Sequence, residues 1–422
     1  MLATHVAPQR ESHTKTTVIW TIDTDQSGVN QLAFETDGKT LISVYSKIKK
    51  WDVATGKLKS TSQKQGNSWQ QYSADGKYYV YGVSERRGRK VDVWKVNLHD
   101  AQSDALLHTF KIPGGDVNLD YQAVFSNKST QLNLNYTRTQ KHPKTRQNTY
   151  TDVFTVWDMQ SGKQIKSHVR FVTEDADPFF NNSWRQYYQD PIFSPDNKQL
   201  WLLESAPEVI TEPRNSNVPL KVHLTDMLRD KRTATFSVPP EKNKYSLRQM
   251  FSNKWIFLCA SPKKSLIAAV RNSGISVSED AILYGFNVKT QQTLWSLEAN
   301  GLYTQALAFS PDGKFLAWGG RDFERKSATG YYPPGKLLLL DPATGKTIAE
   351  VTERTLNDLA KQKPIEIATR LGRVFGLKRV SNKEPKSLPG ETPDVNSLAF
   401  SPDSKKLAVG YADGSIKLWK IQ

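Results

Sequence analysis

Cysteine is almost missing from this chain of 422 residues; Cys259 is the single copy. It cannot form an intramolecular disulfide, and no Cys-x-x-Cys pair offers a structural metal or redox site. Long hydrophobic runs are missing too. None approaches the about 18–20 residues of a membrane span, and the polar segment Met1–Thr17 lacks the apolar core of a secretory signal. These absences lead us to expect a soluble, cytoplasmic protein. The seven histidines are scattered and form no His-x-x-x-His or His-Glu pair, so no metal is expected. There is no Gly-x-Ser-x-Gly elbow. Gly38-Lys39-Thr40 and Gly345-Lys346-Thr347 end like phosphate loops, but Ala33 and Leu340 stand where the earlier glycine belongs. Asp23–Gly28 opens like a calcium loop, yet Phe34 occupies the position of the bidentate Glu. The chain therefore reads as not an enzyme, with no catalytic residues, no cofactor and no metal.

Acidic residues are outnumbered, 42 against 58 Lys plus Arg, which gives a formal net charge of +16. A surface of that sign favours acidic partners. Aromatics are plentiful, with 11 Trp, 16 Tyr and 17 Phe, too many for a disordered chain.

One unit recurs along the sequence: a small residue, Phe, Ser-Pro-Asp-Gly-Lys, then an apolar run. The clearest copies are Ala308–Lys314, Ala399–Lys405 and Phe193–Lys198; weaker ones are Phe34–Lys39, Tyr72–Lys77, Phe125–Lys128 and Cys259–Lys264. Pro-Asp-Gly presets φ, offers an Asx side-chain bond and admits a positive φ, so each copy reads as a hairpin turn between strands. A second apolar element follows each turn, often ending in Trp or Trp-Asp. Examples are Ile48–Asp52, Val91–Trp94, Phe154–Asp158 and Ile416–Trp419, with degenerate copies Leu220–His223, Ile282–Phe286 and Leu337–Asp341. Thr-Gly-Lys or Ser-Gly-Lys turns come next at 55–57, 161–163 and 344–346.

These seven units resemble the WD40 family of β-propellers over residues 17–422. The resemblance implies an all-β, seven-bladed propeller and, for most relatives, a scaffold role. The average step from Phe34 to Phe400 is 61 residues, against about 40–45 for a typical unit, so long loops are expected. No Gly-His dipeptide occurs, which implies that the family's Asp-His-Ser-Trp network is absent and that packing holds the blades. The last unit has three strands, and Thr17–Ile22 is expected to complete blade 7, leaving residues 1–16 as a flexible tail.

The resemblance places the b–c loops and d–a connections on one face, the top. Charge concentrates there. The segment 85–90 has a net of +3 from Arg86, Arg87, Arg89 and Lys90 against Glu85. Arg138, Lys141, Lys144 and Arg146 give unit 3 a net of +4, and unit 6, with Arg321, Arg325 and Lys326, has a net of +2. The insert 352–394 adds +3. Within it Ile367, Leu371, Val374 and Phe375 share one helical face flanked by Arg370, Arg373, Lys378 and Arg379, which predicts a partly helical insertion. Tyr331-Tyr332-Pro333-Pro334 sets two aromatics beside the unit 6 cations. All these residues are candidates for a partner- or anion-binding face. The expected function is a non-catalytic scaffold, a monomeric ring within a multi-subunit complex, whose basic top docks an acidic protein. Direct nucleic-acid binding through the same loops is the alternative.

Overall fold

The chain folds as repeated up-and-down sheets of four strands a, b, c and d, sequential in six of the seven sheets. The computed structural model describes residues 16–63, 70–87, 90–113, 117–141, 148–174, 191–205, 220–238, 254–272, 281–299, 301–322, 335–351 and 393–421. Every regular element among them is a β-strand, and the strands form seven four-stranded sheets. Blade 1 comprises Gln31–Phe34, Thr40–Val44, Lys47–Asp52 and Leu58–Gln63. Blades 2 to 6 span 70–113, 117–174, 192–238, 254–299 and 302–351. In the seventh sheet Val395–Phe400, Lys406–Tyr411 and Ser415–Ile421 are joined by Thr16–Asp23, with Trp20 opposite Leu418.

The a–b turns explain why Ser-Pro-Asp-Gly recurs. Ser310 Oγ donates to Asp312 Oδ1 at 2.7 Å and accepts from the Phe315 N–H at 2.9 Å. Gly313 takes φ 72°, which lets its N–H close the turn onto the Ser310 carbonyl. Blades 2, 4 and 7 repeat the Ser–Asp bond with Ser73–Asp75, Ser194–Asp196 and Ser401–Asp403.

Alternation along the strands sends side chains to both sides of each sheet. In blade 1, Leu32, Phe34 and Leu41 join a buried cluster with Ala408, Ile416 and Leu418 of blade 7. Their neighbours Ala33, Ile42 and Val44 join Tyr72 and Tyr79 of blade 2. Neighbouring blades share seven such clusters, one for each interface of the ring.

Three sequence expectations need correction. Trp94 is not the equivalent of Trp51. Strand c of blade 2, Lys90–Asp100, is 11 residues long, and His99, opposite Tyr79, holds that position. His99 stacks on Tyr79 at 5.0 Å between ring centroids, a flat ring replacing the indole. In blade 4 the c–d turn, with Asp226 opposite Lys231 and accepting from the Leu228 N–H, makes Thr225-Asp226 the equivalent pair rather than the segment ending at His223. The Ser–Trp part of the family network also survives in blade 1, where Trp51 Nε1 donates to Ser43 Oγ at 2.8 Å. The helical insert at 352–392 lies outside the described residues.

Trp20 joins the cluster between blades 7 and 1 and donates from Nε1 to the Val53 carbonyl at 2.9 Å. We expect Trp20→Ala to cost about 3 kcal/mol in urea melts. Deleting residues 1–22 should lower stability further, whereas deleting residues 1–11 should leave the melt unchanged.

Candidate interaction surfaces

The two faces of the ring differ in how their charges are used. On the face of the b–c turns, the blade 7 turn at Gly414 meets the entry to blade 1. Its carbonyl accepts from the Thr24 N–H at 3.1 Å and the Thr24 hydroxyl at 2.6 Å. Lys49, 7% exposed, donates from Nζ to the Thr24 carbonyl at 2.5 Å and lies 3.7 Å from Asp25. Lys417 occupies the same place in blade 7, two residues before Trp419, with Nζ 5.1 Å from the Tyr411 ring centroid. Sequence reasoning missed this pair. Its signal was the shared Ile-Lys-x-Trp of 48–51 and 416–419.

Among the predicted site residues, Arg321 is held within the ring. Its Nε donates to Asp394 Oδ2 at 2.6 Å, and Asp394 is 5% exposed. The segments containing Arg86, Arg87, Lys90, Arg138 and Lys141 are ribbons rather than loops, a correction to the sequence reading. Strand b of blade 2 runs Tyr78–Arg87, with Arg87 opposite Lys90 and Arg86 opposite Val91. In blade 3, Gln131–Lys141 pairs with Asn148–Asp158, Arg138 opposite Thr151 and Lys141 opposite Asn148. The cause is composition: Val91, Val93, Thr137, Thr139, Thr149 and Tyr150 favour extended backbone. Blade 1, by contrast, has b and c strands of only 5 and 6 residues. The structure therefore puts these five basic positions at the far ends of two ribbons in neighbouring blades. Arg89, Lys144, Arg146, Arg325, Lys326, Tyr331, Tyr332, Arg370, Arg373, Phe375, Lys378 and Arg379 lie outside the described residues.

The opposite face carries the a–b and c–d turns, and the blades are tied together there. Ser129 Oγ of blade 3 donates to Asp75 Oδ1 of blade 2 at 2.9 Å. Asn127 of blade 3 donates to Asn197 Oδ1 and the Ser194 carbonyl of blade 4 at 3.0 and 3.1 Å. The Asp312 N–H of blade 6 donates to Ser404 Oγ of blade 7 at 3.0 Å.

These bonds bias the carboxylates. The Ser194 hydroxyl is the main cause that holds Asp196 below the usual carboxylate range. At Asp312 and Asp403, burial alone would raise the carboxyl. Bonds from Ser310 and Ser401, the backbone N–H groups of Lys314 and Lys405, and nearby lysine charge together outweigh it and lower both groups. Desolvation raises the pKa of the Cys259 thiol. Among the described residues no group of three His, Cys, Asp or Glu is placed to hold a metal ion, and no helix is long and apolar enough to cross a membrane.

A closed ring of seven four-stranded blades, four of them entered through a Ser-Asp turn, defines a seven-bladed β-propeller. The WD40 family model, described as WD domain, G-beta repeat, matches residues 382–420. That match, together with this seven-bladed architecture, supports a WD40-repeat propeller family for the chain. No curated protein matches the chain. The family assignment points to a platform for protein partners.

The depressed carboxylates set the sign of the acid response. Each stabilises the fold above its unfolded pKa of about 3.9, and the contribution is lost as pH falls through the lower folded value. Thermal melts between neutral pH and pH 3 should therefore show Tm falling steeply below about pH 4. Asp312→Asn should lower Tm at neutral pH by about 2–4 °C and make the acid limb shallower.

Proposed function

We propose that this protein is a non-catalytic interaction scaffold of a cytoplasmic multi-subunit assembly, and that its basic top face docks an acidic protein partner. The observation that carries this reading is the pair of extended ribbons on blades 2 and 3. They bear Arg86, Arg87, Lys90, Arg138 and Lys141 away from the ring, and Arg89, Lys144 and Arg146 fall between their strands in sequence. The arginines suit bidentate contact with carboxylates or phosphates. The centre of the same face supports the reading by contrast, because Lys49 and Arg321 are taken up by Thr24, Asp25 and Asp394.

A tagged full-length chain is captured from native lysate, with and without nuclease, and washed at rising salt. A protein scaffold keeps the same partners after nuclease treatment. The quadruple variant Arg86→Glu, Arg87→Glu, Arg138→Glu, Arg146→Glu should lose them at an unchanged Tm. Partners that vanish with nuclease, together with a steep salt dependence, would instead favour direct nucleic-acid binding through the same ribbons. Retention of every partner by the quadruple variant would reject the top-face reading. Loss on changing Tyr331, Tyr332 or Phe375, with weak salt dependence, would move the interface to those segments.

A further inference from the structure

The seven repeats act as an internal comparison, and blades 4 and 5 depart from it together. Six of the seven a–b turns have a left-handed fourth residue: Gly38, Gly76, Ser129, Asn197, Gly313 and Ser404. Blade 5 does not. Its turn reads Ser261-Pro262-Lys263-Lys264-Ser265, with lysines where blades 1, 2, 6 and 7 carry Asp followed by Gly or Ser. Ser261 Oγ, fully buried, consequently lacks the hydrogen bond that Ser310 Oγ makes to Asp312. In the c–d turns, Thr55, Ser103, Ser161 and Thr344 use their hydroxyls to bond the Asp three residues earlier. Blade 4 has Arg229 at that place, and its guanidinium reaches the buried Asp226 Oδ2 at 2.7 Å.

These departures meet in one cleft of about 830 Å³ between blades 4 and 5, on the face away from the ribbons. Blade 4 supplies Lys198, Arg229, Lys231 and Arg232, and blade 5 supplies Lys263, Lys264 and Lys289. All seven are exposed. Two carboxylates also line the cleft, Asp196 and Asp226, which leaves a net charge of +5. Arg229 is paired with Asp226, and Lys198 lies in the field of Asp196. Among the described residues, no ion pair takes up the other five cations. The cleft is held open by fixed walls. Trp201 Nε1 donates to Gln199 Oε1 at 2.6 Å, and blade 4 is tied to blade 5 by Thr293 Oγ1 on the Ser237 carbonyl at 2.6 Å and by the Thr235 N–H on Gln291 Oε1 at 3.1 Å.

We propose that this cleft binds a compact polyanion carrying two or more phosphate groups. Its volume falls in the range of small-ligand sites, about 300–1,000 Å³, and is too small for a nucleic-acid duplex. Lysine ammonium groups from two walls converge as point charges, a donor set that suits phosphate oxygens approaching from several directions. The site is separate from the ribbons, so the two charged surfaces can act independently. The same phosphate chemistry occurs in soluble polyphosphates and in phosphorylated lipid headgroups.

The test uses the full chain. Inositol hexakisphosphate and tripolyphosphate are titrated by calorimetry and by Trp fluorescence at several salt concentrations, with sulfate as a control. Vesicles of phosphatidylcholine with and without phosphatidylinositol bisphosphate form the second arm. Expected are one site per chain, affinity that falls with salt, and little response to sulfate. A response to soluble polyphosphate identifies a soluble ligand class, and a response confined to the charged vesicles identifies a lipid headgroup; either supports the cleft. The double variant Lys263→Asp, Lys264→Gly rewrites the turn as the chain's own Ser-Pro-Asp-Gly, so its Tm should hold or rise while binding weakens by about tenfold or more. Lys231→Glu on the opposite wall should weaken binding as well. The quadruple ribbon variant should bind the probes normally, which separates failure of this site from failure of the top-face reading. No binding in either arm, or unchanged affinity in both cleft variants, would overturn the proposal.

Discussion

A blade cannot bury its own two faces, and this constraint organises the whole ring. Four antiparallel strands present apolar side chains on both sides, so a lone sheet would leave both surfaces in water. Here each buried cluster straddles two neighbouring blades, as Leu202 and Phe193 of blade 4 do with Phe154 and Val156 of blade 3. Stability is therefore a property of the interfaces, and every blade is supported from both sides. The interface between blades 7 and 1, with Trp51 and Phe34 against Leu418 and Ile416, is made of the same materials as the others.

Side-chain hydrogen bonds then sharpen what packing establishes, and they do so unevenly. Trp51 has Ser43 as an acceptor, and Trp157 Nε1 finds Thr155 Oγ1 within its own strand at 3.0 Å. Trp419 Nε1 is buried without a partner, because Val409 stands where blade 1 has Ser43. A buried donor left unmade costs about 1–3 kcal/mol, which the ring tolerates. The Ser–Asp turns show the opposite tendency. Their small, local bonds are repeated around the rim of one face and cross between blades at Asp75–Ser129 and Asp312–Ser404.

Much of this was legible in sequence, for a physical reason. Turn chemistry is local, so Ser-Pro-Asp-Gly marks the a–b turns wherever it stands, and the count of seven follows from it. The equivalents of Trp51 were harder to place. His99 and Thr225 carry no indole, and a Trp five residues earlier, Trp94, competed for the blade 2 assignment. Strand register decides in blade 2, and the c–d turn at Asp226 in blade 4. Charge was read by sequence position, which located Arg86 and Arg138 but could not foresee that Arg321 meets Asp394 across 73 residues. For the same reason the cleft cations escaped notice. They come from four separate turns, and none forms a run longer than two.

The departures in blades 4 and 5 differ in kind from ordinary repeat decay. Decay replaces a bonded residue with something indifferent, as Val409 does for a serine, and the surface stays neutral. In blade 5 the Asp that would satisfy Ser261 is a lysine, and the next position, left-handed in every other a–b turn, is a second lysine. In blade 4 an arginine stands in for a hydroxyl that would have served the turn equally well. Each change gives up or complicates a local bond and adds positive charge to one cleft. Mutual repulsion among the five exposed cations that no ion pair among the described residues takes up opposes folding, so fold stability does not account for their convergence. An anionic ligand reverses the sign of that cost, because it neutralises the repulsion on binding. Departures from the repeat that lower the stability of the empty ring and agree in charge and place are what a binding site looks like in a protein whose other blades show how the same turn is built without one.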